Sequence, residues 1–133
     1  PVPKPVAVVY QRKGVLYSSA IIIERLQGVR PLGDVALSLD ATRWREIGQV
    51  IRQFHDAGLY HADLNCFNIL VGETSTHLID FDKGELRSRT PYRTSWKGNT
   101  LDRLKRSLNK AYGEELEREW QFFLEGYNAS TNV

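Results

Sequence analysis

The sequence predicts an α+β fold: a mainly helical body that carries one short hairpin, with a small β-sheet at its N-terminal end. Three observations lead there. Val6–Tyr10 and Val15–Ile23 are rich in β-branched and aromatic residues and are separated by Gln11-Arg12-Lys13-Gly14, which reads as two strands and a turn. Between Ala41 and Ala57 the apolar residues recur at helical spacing. Ile69–Val71 and Thr76–Ile79 are short apolar runs around Gly72-Glu73-Thr74-Ser75, a hairpin with a glycine in its loop. With 133 residues, 41% of them hydrophobic and 26% charged, the chain is at most one domain and globular in composition.

Taken in order, the first element ends in Ile21-Ile22-Ile23, too apolar for a half-exposed strand and expected to be buried on both faces. Pro31–Ser38 has the composition of a turn-rich connector. Asp40 then caps a helix over Ala41–Ala57, which Gly58 stops. Its stripe of Trp44, Ile47, Val50, Ile51 and Phe54 is expected to be core, a support beneath the hairpin. His55, near the end of that helix, is expected to be solvated or capping.

Beyond the hairpin, Lys83–Arg93 is polar and lacks periodicity. A helix is predicted over Thr100–Lys110, with Leu101, Leu104 and Leu108 inward, and a last one over Glu114–Glu125. Glu114 and Glu115 suit the N-terminal dipole of that helix, and Leu116, Trp120, Phe123 and Leu124 form its inner side. Asn128-Ala129-Ser130 matches a glycosylation sequon, a pattern that chance explains well enough. There are no internal repeats and no low-complexity stretch.

Bulk features exclude some classes. No apolar run approaches the ~20 residues that cross a bilayer, and no signal peptide is expected ahead of the first strand. Cys66 is the single cysteine, so an internal disulfide is excluded and a reducing compartment is expected. The chain begins at Pro1 and contains no methionine, so it is expected to be a piece of a longer protein.

The chemistry gathers around the hairpin. His61-Ala62-Asp63-Leu64-Asn65-Cys66-Phe67-Asn68 precedes it, and Ile79-Asp80-Phe81-Asp82 follows it. An acid, an amide five residues on, two short strands and a second acid form an order that suits phosphoryl transfer. One carboxylate orients the attacking hydroxyl, and the amide and second carboxylate hold magnesium on nucleotide phosphates. The hairpin folds Asp80 back beside Asn68, where two oxygen ligands can meet one hard cation. Asp63 is therefore the candidate catalytic base, with Asn68 and Asp80 the candidate metal ligands. Cys66 reads as a small apolar filler.

These motifs, His61-x-Asp63-Leu64-x-x-x-Asn68 and Ile79-Asp80-Phe81, resemble the catalytic loop and metal-binding motif of the protein-kinase-like superfamily. Their finer wording, with Asn68-Ile69-Leu70 and Leu78-Ile79-Asp80-Phe81-Asp82, resembles the bacterial lipopolysaccharide kinases, over about Ala20 to Leu108 and most specifically between Asp56 and Asp82. The resemblance implies a protein-kinase-like fold, with residues 1–28 the end of an N-lobe sheet and a hinge, and residues 29–133 a helical C-lobe. It implies ATP and Mg2+ as cofactors, with adenine against the backbone of Glu24 to Leu26. His61 would brace the loop by bonding backbone near the metal motif, and Phe81 would back the metal-binding acid.

Departures from protein kinases sharpen the class. Ala62 replaces the arginine that binds a phosphorylated activation loop, Asn65 stands at the phosphate-touching lysine, Asp82 replaces a glycine, and no Ala-Pro-Glu anchor follows. A kinase of small molecules or glycolipids is expected rather than a phospho-regulated protein kinase. No glycine-rich phosphate loop is present, and Lys4 and Lys13 lie too close to the hinge to serve the α- and β-phosphates, so this piece alone is expected to be inactive.

Charge placement points to the acceptor. Lys83 to Lys110 holds nine basic residues against Glu85 and Asp102, a surplus of seven that leaves −5 for the remainder of a chain of net charge +2. Lys83, Arg87, Arg89 and Arg93 directly follow the metal motif and are candidate contacts to an anionic substrate; a solvated basic face is the alternative. Nucleic acid is not the expected partner, because few aromatics are interleaved and no nucleic-acid motif appears. The resemblance implies phosphorylation of the 4-hydroxyl of 3-deoxy-D-manno-octulosonic acid (Kdo) on a lipid A precursor, by a peripheral enzyme on the anionic cytoplasmic face of the bacterial inner membrane. The alternatives are a kinase of heptose or of the aminoglycoside or choline type, or an inactive kinase-like binding module. The sequence carries no signal for an oligomeric state.

Overall fold

Two strands open the chain: β1 (Pro5–Lys13) and β2 (Leu16–Ile23) pair antiparallel, with Lys13 opposite Leu16. Gly14 takes φ +62° in the two-residue turn between them, a left-handed conformation that glycine adopts without strain. Gln11, Arg12 and Lys13, expected in the turn, are strand. Ile21, Ile22 and Ile23 are 62%, 54% and 44% exposed, which overturns the expectation that they are buried on both sides. The hairpin forms a sheet of only these two strands, and among the described residues no layer covers either face. The structure, a computed structural model, describes residues 1–87 and 95–129.

The expected connector is instead regular. A short strand β3 (Arg30–Pro31) leads into helix α1 (Leu32–Val35) and a 3-10 turn (Ala36–Ser38). Leu32 and Ala36 are fully buried one helical turn apart, and that burial overrides the turn-like composition. A Cβ at Gly33 would lie 2.6 Å from the Phe67 ring, and the Gly33 N–H donates to the Cys66 carbonyl at 2.9 Å. A larger residue at Gly33 would push the Phe67 ring aside, so glycine suits this close approach of α1 to the segment that carries Asp63.

Helix α2 (Ala41–Asp56) begins where expected, with the Asp40 carboxylate accepting from the Arg43 N–H at 2.8 Å. Trp44, Ile47 and Ile51 are buried, while Val50 and Phe54 are only half-buried. Gly48 and His55 complete the buried face. His55 is 2% exposed, so it is neither solvated nor a cap. Its Nδ1 lies 2.7 Å from the Tyr127 hydroxyl, and the edge of Trp96 packs against its ring. The physical reason is the last helix of the chain, which lays Tyr127 across this end of α2 from 72 residues away in sequence.

Strand β4 (Leu59–Tyr60) pairs with β7 (Glu85–Leu86). Strands β5 (Ile69–Val71) and β6 (Thr76–Leu78) form the expected hairpin, and β3 adds to its edge to make a three-stranded antiparallel sheet in the order β3-β5-β6. Helix α3 (Ser95–Tyr112) starts five residues earlier than expected, with Leu104 and Leu108 buried and Leu101 half-buried.

Helix α4 (Glu117–Asn128) starts later than expected, with Leu116 as its N-cap residue. Glu117 and Glu119, rather than Glu114 and Glu115, therefore occupy the first turn near the positive end of the dipole. Trp120, Phe123 and Tyr127 bury its inner side against α2, and Leu124 is half-buried. Together with Leu32, Trp44, Ile47, Ile51, Leu64, Cys66, Ile69, Leu78, Leu104 and Leu108 they make one core beneath the hairpin. Among the described residues no helix is long and apolar enough to cross a membrane. Ser130 of the sequon lies outside them.

Candidate active site

The hairpin sets the frame. Ile69 pairs with Leu78 and Val71 with Thr76, and the Ile79 N–H donates to the Asn68 carbonyl at 3.1 Å. Asn68 and Asp80 therefore flank the open end of the hairpin, as the spacing predicts. Arg43 fastens the closed end: its Nη2 donates to the carbonyls of Gly72 and Ser75 at 3.1 and 3.0 Å, while Nη1 pairs with Glu46. The first turn of α2 thus holds the loop of the hairpin from below.

Asn65 shapes the loop that holds Asp63. Its Oδ1 accepts from the N–H groups of Phe67 and Asn68, and its Nδ2 donates to Asp63 Oδ2 at 3.1 Å. Asn68 is nearly buried, and its Nδ2 donates to the Asp63 carbonyl at 2.9 Å. That bond commits the amide nitrogen and leaves Oδ1 as the free acceptor. Asp80 has φ +66°, the one described non-glycine residue in the left-handed region. Aspartate tolerates this better than most residues, and the twist turns its backbone away from the strand at the mouth of the site.

His61 ties the two halves together. The Asp63 N–H donates to Nδ1 at 3.2 Å, so Nδ1 is the acceptor nitrogen. Nε2 then carries the proton and donates to the Ile79 carbonyl at 2.8 Å, one residue before Asp80. The Phe81 ring packs between His61, at 4.7 Å, and Phe54, at 6.1 Å.

Asp63, Asn68 and Asp80 line one cavity of about 500 Å3, with Asn65, Phe67, Ser107, Lys110 and Ala111 around them. The donor set suits magnesium: two hard oxygens, one carboxylate and one amide, with room for further ligands. Among the described residues no three His, Cys, Asp or Glu side chains could share a metal, so a cation here would take its other ligands from phosphate and water. An apolar cavity of about 580 Å3 adjoins Asp80, lined by Pro3, Pro5, Ile21, Ile23, Ile79 and Phe81 among others. Glu24 and Leu26 do not line it. Glu24 is exposed and donates its N–H to the Lys4 carbonyl at 2.8 Å, and Leu26 is half-buried.

The basic candidates divide. Lys83 is exposed. Arg87 is committed to Glu85, with Nη2 at 3.1 Å, and its guanidinium lies 3.5 Å over the Tyr60 ring. Arg89 and Arg93 lie outside the described residues. The cations the structure does bring to the site come from α3: Arg103 Nη1 sits 3.4 Å from Asp63 Oδ1, and Lys110 lines the same cavity as the carboxylates. The basic surplus of this helix was the only sequence signal for them. Arg43 and Ser107, whose hydroxyl accepts from the Cys66 N–H at 2.9 Å, gave none.

Comparison with known proteins accords with this geometry. The family model of the lipopolysaccharide kinase (Kdo/WaaP) family matches residues 1–127. A 3-deoxy-D-manno-octulosonic acid kinase of Stenotrophomonas maltophilia (strain K279a) is 42% identical over 138 residues, covering 99% of this chain and 54% of that protein. One of Xylella fastidiosa (strain 9a5c) is 47% identical over 116 residues, covering 86% and 45%. The chain thus spans about half the length of the curated relatives it matches. Among solved structures, "WaaP in complex with acyl carrier protein" superposes with a TM-score of 0.66 at 20% identity, over 95% of this chain and 58% of that one, a likeness of fold.

Proposed function

Since this chain belongs to the lipopolysaccharide kinase (Kdo/WaaP) family, we propose that the full-length protein is an ATP- and Mg2+-dependent kinase that phosphorylates the 4-hydroxyl of Kdo on a lipid A precursor. One observation supports the reading above the others. Asp63, Asn68 and Asp80 share a cavity, and the bond from Asn68 Nδ2 to the Asp63 carbonyl leaves the amide oxygen free as a ligand.

The roles follow from that arrangement. Asp63 orients the acceptor hydroxyl and takes its proton as the hydroxyl oxygen bonds to the γ-phosphorus and the bond from that phosphorus to the β-phosphate oxygen breaks, releasing ADP. Asn68 and Asp80 hold magnesium, which neutralises the phosphate charge when bound. His61 and Phe81 keep the two ligand-bearing segments in register, through the bond to Ile79 and the ring stack. The apolar cavity bordered by Ile21, Ile23 and Ile79 is the place for the nucleoside, next to a hinge at Glu24 and Leu26. Residues 1–28 act as the end of an N-lobe and residues 29–133 as the C-lobe. Lys83 and Arg87 are contacts to the anionic substrate, and the basic face of α3 draws the enzyme to the anionic cytoplasmic surface of the inner membrane.

The test gives the full-length protein ATP and magnesium with either a Kdo-bearing or a heptose-bearing lipid. Phosphate transfer to the Kdo lipid alone is expected. Transfer to the heptose lipid instead would move the reading to another sugar, and transfer to neither would favour a binding module.

A further inference from the structure

On its other side the catalytic loop faces a second, smaller cavity. It measures about 150 Å3 and is lined by Tyr60, His61, Asn99, Asp102, Arg103 and Arg106, among others. Asn99, Arg103 and Arg106 lie four and three residues apart, so α3 turns one stripe toward it. Both nitrogens of His61 are occupied by backbone groups, and the Thr100 hydroxyl donates to the Trp96 carbonyl at 2.6 Å. The polar side-chain groups still available include the two guanidiniums, the Tyr60 hydroxyl, the Asn99 amide and the Asp102 carboxylate.

Two of the other cations of α3 are held in ion pairs away from this cavity. Lys97 is paired with Asp56 at 3.1 Å and Lys105 with Glu117 at 3.0 Å. Arg106 has no ion pair among the described residues. Arg103 reaches Asp63 at 3.4 Å with both side chains about half exposed, a long contact of the kind that holds weakly in water. Arg103 thus borders the small cavity and also touches the candidate base.

We propose that this cavity binds an acidic group of the acceptor, a carboxylate or a phosphate, on the forks of Arg103 and Arg106, and that this draws Arg103 off Asp63. The proposal rests on the kinase reading above and names its acceptor subsite. Guanidinium forks match both oxyanions bidentately, and Arg103 cannot serve the substrate and Asp63 with the same N–H groups. An acidic acceptor therefore frees the Asp63 carboxylate for the hydroxyl as it docks, and a neutral acceptor leaves the ion pair in place. Arg106 is a specificity residue, and Arg103 is a positioning residue that acts through Asp63.

The experiment uses the full-length enzyme with the Kdo-bearing lipid and its carboxyl methyl ester. Arg106→Gln is expected to raise KM for the acid form on the order of tenfold while sparing KM for ATP, and to spare the ester where the carboxylate is the group bound. Arg103→Gln should also change kcat for the acid form, with partial rescue by Arg103→Lys. A third acceptor, stripped of lipid phosphates but retaining the carboxylate, separates the sources: if Arg106→Gln still raises its KM, the carboxylate is the group bound, and if not, the phosphate is. An unchanged KM for the acid form in Arg106→Gln overturns the proposal. So does an equal penalty on acid, ester and phosphate-free acceptor alike, which would mark a structural role. Should the wild-type enzyme phosphorylate neither lipid, the kinase reading fails, and inorganic sulfate then tests the subsite by itself. Sulfate should raise the thermal midpoint of the wild type and not that of Arg106→Gln; an equal rise in both, or none in either, would refute it.

Discussion

The proton on His61 Nε2 points at the carbonyl of Ile79, 2.8 Å away, and joins the loop of Asp63 to the strand end that delivers Asp80. The ring is buried, so the bond works as a spacer between the two segments rather than as an exchangeable surface contact. Replacing His61 with alanine opens that spacer and leaves a carbonyl short of its donor. We expect kcat of the full-length enzyme to fall about 10–100-fold, the range typical of residues that orient metal ligands, with a raised magnesium requirement. A magnesium titration of the variant checks this, and an unaltered half-saturation point would place His61 outside the metal's support.

Asp63→Asn and Asp80→Asn should each remove turnover while leaving the thermal midpoint close to that of the wild type. For Asp63 the loss of a proton acceptor predicts about 10²–10⁴-fold in kcat. At Asp80 the choice of variant matters, because asparagine tolerates the φ of +66° and alanine does so only at a cost of about 1–2 kcal/mol. Asp80→Ala should therefore melt below Asp80→Asn, although both abolish activity. Equal midpoints would show that the left-handed backbone at Asp80 stores no strain.

The interface of α2 and α4 depends on two glycines. A Cβ on Gly48 would lie 2.1 Å from the Phe123 carbonyl oxygen, and one on Gly126 would lie 2.0 Å from that of Arg45. Backbone cannot move aside as a side-chain tip can, so the helices would have to separate. Gly48→Ala and Gly126→Ala are each expected to cost about 1–3 kcal/mol or more, despite the helix propensity that alanine adds. Chemical denaturation of the two variants measures it.

His55 sets an acid limit on stability. Burial, followed by the nearby Lys97, holds its pKa down to about 4 from 6.5; Arg52 adds to this and Asp56 opposes it. A histidine depressed in the folded state stabilises the fold in full above its unfolded pKa, and that contribution is lost as pH falls from about 6.5 toward 4. The difference corresponds to on the order of 3 kcal/mol. Thermal midpoints measured from pH 7 to pH 4 should fall steeply for the wild type. His55→Gln should be less stable at pH 7 and much flatter over the same range, and a parallel fall in both proteins would assign the acid sensitivity elsewhere.

Local sequence was enough to specify the hairpin and the two residues that flank it. Asn68 and Asp80 are brought together by one turn and the 2-residue period of the strands, and Asp63 lies five residues ahead of Asn68, so the spacing of the three shows directly in the chain. The cap at Asp40 and the buried Trp44–Ile47–Ile51 stripe were legible for the same reason. What the sequence left open depended on partners far along the chain. His55 reads as a surface residue until Tyr127 covers it, and Arg43 is an ordinary first-turn arginine until the Gly72 and Ser75 carbonyls arrive above it. The isoleucines of β2 read as core although no layer among the described residues covers them. Arg103 joined the site only because α3 crosses the Asp63 loop 40 residues downstream of Asp63. Periodicity reports which face of an element is apolar, but only packing brings one element's polar groups to another, and that is where the cations of this site were decided.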